Sequence, residues 1–543
     1  MWIPLLLACQ ADPPSEVVTD DTSTAPQAVR LDAVARASRV SVALRGERPS
    51  PAELEQVADD PAELDDLVDA WLQTDAFGET VRDLHAYHLW MRADTRPQWP
   101  NRYELERFTQ QEVTHSFQEA PLLFVEHVVR SGAPYTDILT ADYTLADEVL
   151  SVMEGLPFDP DGPTWQVSHH VDGRPQSGLL SSTGLWQRWY TNNSGKHRNR
   201  ANMLSRAFLC AEIGAFDMPV FPTVEPTDNA ATADALRNDP ACVACHQNLD
   251  PLAAYFWPYE INIIGITIDR AVEKGCGDPE GNPDHCYPIR YWNASRANLY
   301  QAYDLPPPGY YGEPGTDLTD LGRSLVDDPR FASCTVDTAW AYLTQQPVED
   351  FPEDLRTSLI DEFSDGFDYQ RLVRSMVLSD AMADATLEPL QMRPEAYSRL
   401  LTSLSGATWV ESIDYGDVPV PTTSKYGLRD LSGGVDHDAV LTPNFSPSPT
   451  MLLSRDAVAQ HAAAAAVANR TLVDPRVTDP TVARLQLAEA ATRTTGQQVD
   501  PHHPLVDELW WLHEQALALT GDPEEAWRIT LRALFLDPST LTY

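Results

Sequence analysis

Apolar residues recur at helical spacing along most of the chain, and short polar or proline-bearing stretches divide them into segments. Between Leu31 and Leu150 the pattern reads as helices joined by short turns. Ser50-Pro51-Ala52-Glu53 supplies a capping hydroxyl, a first-turn proline and a glutamate three residues past the cap, which together satisfy the free amides of a helix start. Asp60-Pro61-Ala62-Glu63 repeats the device, and Leu64, Leu67, Val68, Trp71 and Leu72 then line one apolar face. Both motifs are expected to be scaffold.

From Glu154 to about Pro226 the chain is richer in glycine, proline, asparagine and polar aromatics, with one helical stretch around Ala201 to Cys210. A proline-containing connector, Met218 to Asp228, follows. Asp239-Pro240 has the character of a cap and a first-turn proline, which predicts a helical turn carrying Cys242, Cys245 and His246. Loops return from Lys274 to Pro314, and helices resume near Asp317. There Val336, Ala339, Trp340 and Leu343 keep one stripe, and Leu372, Met376 and Val377 continue one in a later helix. A stretch rich in Gly, Pro and Thr, Tyr415 to Pro449, precedes a last helical region. In it Ser454 is expected to cap an alanine-rich helix through Ala468, and Leu505 to Phe535 to form a closing helix pair. No fixed-period repeat points to a solenoid. The fold class expected is therefore mainly α, with several helical modules and irregular loops.

Length and charge narrow the possibilities. At 543 residues the chain exceeds what one hydrophobic core supports. Its 81 acids against 38 bases give a net charge of -43, and its only lysines are Lys196, Lys274 and Lys425. Such a surface repels nucleic acid and anionic headgroups, so neither is expected as a partner.

The N-terminus, Met1-Trp-Ile-Pro-Leu-Leu-Leu-Ala-Cys9, is a short apolar run ending in Leu-Leu-Ala-Cys, and it resembles a bacterial lipoprotein signal in which Cys9 receives the lipid. It lacks a basic leader and is shorter than a usual secretory signal. Gln10 to Gln27 is acidic and rich in Ser, Thr and Pro, a composition that reads as a tether. No later stretch has the length of apolar residues that spans a bilayer, so the expected membrane contact is through Cys9 alone.

An exported chain makes disulfides plausible chemistry for its remaining cysteines. Cys276 and Cys286 close a loop full of turn residues, so a local bridge is the natural expectation, which leaves Cys210 and Cys334 for each other. Connectivity is not deducible from spacing.

Pro240-Ala-Cys242-Val-Ala-Cys245-His246 contains Cys-x-x-Cys-His, the attachment signature of c-type haem. On a helical turn the two thiols lie on one side and reach both vinyl groups of one porphyrin, while His246 faces the iron as proximal ligand. A zinc site would need a second ligand pair at short spacing, and none accompanies this one. A thioredoxin-like motif would sit in a βαβ context, which is missing here. A plain disulfide between Cys242 and Cys245 is the remaining alternative. Signals for hydrolases are absent, with no Gly-x-Ser-x-Gly, no His-Glu-x-x-His and no phosphate-binding glycine loop.

The segment from Arg237 through Asp250-Pro251-Leu252 to Phe256 resembles the planctomycete-type cytochrome c domain proteins, in which a haem motif is followed by an Ile-Asp-Pro-Leu-Gly-Phe-like run. Ser177-Gly178-Leu179-Leu180 with Arg200 to Cys210 is similar to the segment that precedes the motif there. Asp328-Pro329-Arg330-Phe331 with Cys334, Tyr342-Leu343, Pro347 and Met376 to Ser379 is similar to the helical module that follows it. Leu44-Arg45-Gly46 to Pro51, with Leu67 to Phe77, resembles the companion N-terminal module; Arg393 to Tyr397 and Leu534 to Leu541 are weaker echoes. Ala253 stands where glycine is usual, and the aromatic run through Tyr255, Phe256, Trp257 and Tyr259 is a departure.

The resemblance implies helical modules around a small cytochrome c-like haem segment. The expected division is a lipoprotein signal at 1–9, a tether at 10–30, helical modules at 31–153, 315–390 and 391–543, and the haem domain at 154–314. Asp250-Pro251 is expected to turn the chain after the haem segment, and the aromatic run to fill core rather than to wall the haem pocket. Candidates for the distal iron ligand are Met203, Met218, His169, His170 and His197. The expected function is that of an exported monohaem c-type lipoprotein of the bacterial envelope, periplasmic or at the outer membrane. It would pass electrons to a redox partner protein; the alternatives are a haem enzyme with an open distal site and a surface binding protein.

Overall fold

The computed structural model describes residues 30–93, 101, 103–191, 196–213, 229–259, 287–289, 291–387, 389–407, 411–413, 416–418 and 429–543. Helices dominate, and the described strands form only two-stranded antiparallel pairs such as Thr144–Ala146 with Gln166–Ser168. The fold is mainly α. Cys9, Met218, Cys276 and Cys286 lie outside the described residues. Among those described, no helix is long and apolar enough to cross a membrane.

Local chemistry explains most helix starts. Ser50 caps helix Pro51–Asp59 with a reciprocal capping box, its hydroxyl accepting from the Glu53 amide while the Glu53 carboxylate accepts from the Ser50 amide. The repeat of that device at Asp60 behaves differently. The Asp60 carboxylate accepts from the Ala62 amide and shapes a turn, and the helix begins at Glu63 behind Ala62 without a side-chain cap. Ser448, not Ser454, caps the alanine-rich helix Pro449–Asn469. Pro449 has the φ of a first helical turn and needs no partner for an amide hydrogen, so the helix starts there. Ser454 is left inside it, buried, with its hydroxyl 2.7 Å from that of Ser432.

Two buried clusters organise the described residues. The larger runs from Ala37 to Leu390 and takes in residues from the 31–153, 154–314 and 315–390 segments as one continuous core. The smaller is built mainly from residues 392–535. The two are tied where the C-terminal chain returns: Tyr543 and Leu390 exchange main-chain hydrogen bonds, and Met392 donates to the Leu541 carbonyl. Arg48, also buried, donates to the carbonyls of Ser539 (2.8 Å) and Thr542 (2.5 Å), end groups that a helix leaves unpaired.

The N-terminal motif Leu44-Arg45-Gly46 is structural. Arg45 lies 4.4 Å over the Trp71 ring and Trp71 donates to Glu53 at 2.6 Å, which locks the first three helices together. Ser177-Gly178-Leu179-Leu180 is a junction. The Ser177 hydroxyl is 2.7 Å from the Leu139 carbonyl and 2.9 Å from that of Leu318, so it joins segments far apart in sequence.

Candidate functional site

Asp239 caps helix Pro240–Ala254 by accepting from the Ala241 amide, with Pro240 at the first helical position. This helix carries the Cys-x-x-Cys-His residues in its first two turns. Cys242 is half-buried and Cys245 buried, and the two thiols are not joined to each other. Burial, then the charges of Asp239 and Cys245, push the Cys242 thiol up, so it is held as S–H.

The expected turn at Asp250-Pro251 is not there. The helix continues through Pro251 to Ala254, with Asp250, Leu252, Ala253 and Ala254 buried. Proline removes one amide donor from the ladder, but burial of the residues on either side keeps the last turn helical. Asp250 therefore lies one turn beyond His246 on the same face, and its Oδ1 is 3.1 Å from His246 Nδ1. Arg198, the first residue of helix Arg198–Leu209, grips the same carboxylate from the neighbouring helix, with Nε 2.6 Å from Oδ1 and Nη2 3.0 Å from Oδ2. Burial pushes the Asp250 carboxyl up, but hydrogen bonds from His246 and Arg198 and the charge of Arg198 outweigh it and hold the group below the usual carboxylate range.

The aromatic run after the helix anchors it in the core, as expected. Phe256 packs 4.6 Å from Trp186, Tyr259 meets Trp292 edge-on at 4.9 Å, and the Tyr259 hydroxyl donates to the Leu180 carbonyl. Trp257 stacks on the partly exposed Tyr303 at 5.3 Å. The preceding helix is fixed from its other end: Cys210 and Cys334 form a disulfide that joins helix Arg198–Leu209 to helix Pro329–Thr344.

The distal candidates separate by environment. His169 is exposed, and Met203 is packed in the larger core. His170 belongs to a buried cluster in which the Glu154 carboxylate accepts from Arg174 and Thr183, with its own Nδ1 3.5 Å from Glu154. His197 is fully buried, its Nδ1 is 3.1 Å from Arg200, and its Nε2 has no hydrogen-bond partner among the described residues. Burial, then the charges of Arg200 and Arg296, push it well below the ordinary imidazole value, so the ring is neutral. It directly precedes Arg198 and meets Trp257 edge-on at 5.0 Å, so it belongs to the neighbourhood of the motif helix.

The donor set suits a c-type haem: two unlinked thiols one helical turn apart and an imidazole oriented through Nδ1 that leaves Nε2 to a metal. Cys242 and Cys245 would hold the porphyrin and His246 the iron. Sequence reasoning missed Arg198 and the pairing of Asp250 with His246. The four-residue spacing carried the second signal, but the adjacent proline pointed to a turn instead.

Comparisons with known proteins bear on one part of the chain. Residues 31–156 match the family model PSD4, a protein of unknown function (DUF1592), a domain typical of planctomycete cytochrome c-like proteins. The match covers the N-terminal helices and stops well before Cys242. No curated protein and no solved structure matches the chain.

Proposed function

We propose that the chain is an exported c-type cytochrome-like lipoprotein with one covalent haem, which transfers electrons at the bacterial cell envelope. The observation that carries the reading is the face of helix Pro240–Ala254, where two free thiols and an imidazole held by a buried carboxylate occupy the Cys-x-x-Cys-His positions. Bound haem would supply a one-electron centre. Cys242 and Cys245 would anchor it through thioethers, and Asp250 with Arg198 would orient the His246 imidazole toward it. The match of residues 31–156 to a domain found with cytochrome c-like sequences supports the reading from outside the motif. The lipid on Cys9 would be the membrane contact and a second redox protein the partner.

The test is expression of the full chain in a host with cytochrome c maturation machinery. The wild type should carry a covalent haem mass and a Soret band, and Cys242→Ala/Cys245→Ala should carry neither; a wild type without haem refutes the reading. A six-coordinate spectrum unmoved by cyanide is expected, and ready cyanide or peroxide binding would replace the carrier reading with the haem-enzyme one.

A further inference from the structure

We propose that Asp250, gripped by Arg198, is the positioning residue that orients His246 through Nδ1 and sets how strongly its imidazole donates to iron. The inference rests on the haem reading above and adds a tuning device that acts from outside the coordination sphere.

The geometry is over-determined. Asp250 Oδ1 takes two donors, His246 Nδ1 at 3.1 Å and Arg198 Nε at 2.6 Å, and Oδ2 takes Arg198 Nη2 at 3.0 Å. A planar guanidinium bound to both oxygens fixes the plane of the carboxylate. The side chain of Asp250 is 4% exposed, so water does not compete for it. A carboxylate only accepts, so His246 Nδ1 is the nitrogen that carries a proton and Nε2 is the one left for a metal. Tautomer and ring plane are thus set before any ligand arrives.

The charge has a direct consequence. A carboxylate behind a ligating imidazole raises its basicity, and carboxylate, histidine and metal in series are a recurrent arrangement. Greater basicity stabilises the ferric state and lowers the reduction potential. Arg198 works in the opposite sense, because its positive charge offsets part of what the ring feels. The two side chains form an opposed pair: removing the anion raises the potential and removing the cation lowers it. A purely structural carboxylate does not predict that sign reversal.

The test uses the haem-loaded full chain and three variants, with the potential read by spectroelectrochemical titration. Asp250→Asn keeps the shape and removes the charge. It is expected to shift the oxidised-to-reduced ratio at fixed potential about tenfold toward reduced, about 59 mV for one electron. Arg198→Gln is expected to shift the ratio the other way, and Asp250→Glu to return toward wild type. If Asp250→Asn does not accumulate, the other two carry the test. Potentials that stay put, or that move in the same direction for Asp250→Asn and Arg198→Gln, overturn the proposal while leaving the haem reading intact. A wild type without haem overturns both.

Discussion

The Cys210–Cys334 disulfide closes a loop across 124 residues that contains the whole Cys-x-x-Cys-His helix. Cross-linking residues that far apart removes a large part of the conformational freedom of the unfolded chain, and the chain-entropy relation gives about 5 kcal/mol at 25 °C for a loop of this length. The bridge also holds helix Arg198–Leu209, whose first residue grips Asp250, against helix Pro329–Thr344. Its loss should therefore destabilise the larger core and loosen the site together. The comparison that isolates the effect is Cys210→Ala/Cys334→Ala against wild type in urea, followed by aromatic fluorescence. Because Cys334 is almost fully buried, truncating it adds a cavity cost of about 1 kcal/mol. A midpoint lowered by the equivalent of roughly 4 to 6 kcal/mol is expected. Differential alkylation of the urea-unfolded protein supplies the control, since Cys210 and Cys334 should resist labelling until reductant is added. Labelling of both in the unreduced, unfolded protein, or an unchanged urea midpoint in the double variant, would overturn this account.

Other outcomes follow from the same packing. Arg92 joins two nearly buried carboxylates, Asp83 at 2.7 Å and Glu119 at 2.6 Å, and Arg92→Ala should cost about 3 to 5 kcal/mol in a urea titration because it strands buried charge. Burial raises both carboxyls, but the arginines outweigh it, Arg399 and Arg92 at Asp83 and Arg92 at Glu119, so both are held below their ordinary values. Their stabilisation is then complete above the unfolded carboxyl range near pH 4, and it is lost as pH falls through the lower folded values. Wild-type stability measured from pH 6 to 3 should drop accordingly, and the drop should shrink in Arg92→Ala. A Cβ added at Gly322 would sit 2.3 Å from the Leu139 carbonyl oxygen and 2.5 Å from the Ser177 hydroxyl, so Gly322→Ala should destabilise by about 1 to 3 kcal/mol in thermal melts. Arg48→Met should speed hydrogen exchange at the Leu541 and Tyr543 amides by removing the cation that holds the last carbonyls.

Much of this molecule is local. The 3.6-residue apolar stripes, the Ser50 capping box and the Asp239-Pro240 start depend on residues within one or two turns of each other, so the sequence by itself determined a mainly helical chain and put both thiols and His246 on one helix. Local signals also misled where a distant contact outweighed them. Asp250-Pro251 has the form of a turn, yet Arg198, 52 residues earlier, and the packing of Leu252 to Ala254 keep it helical. Ser454 has the form of a cap, yet its hydroxyl is held by Ser432. Folding alone brings the three segments between residues 31 and 390 into one core and carries Arg198 to the motif helix. The physical reason is the same in each case. Helix and cap energies arise between neighbours in sequence, whereas burial, ion pairing and the orientation of a ligating imidazole depend on chain segments that only folding brings together.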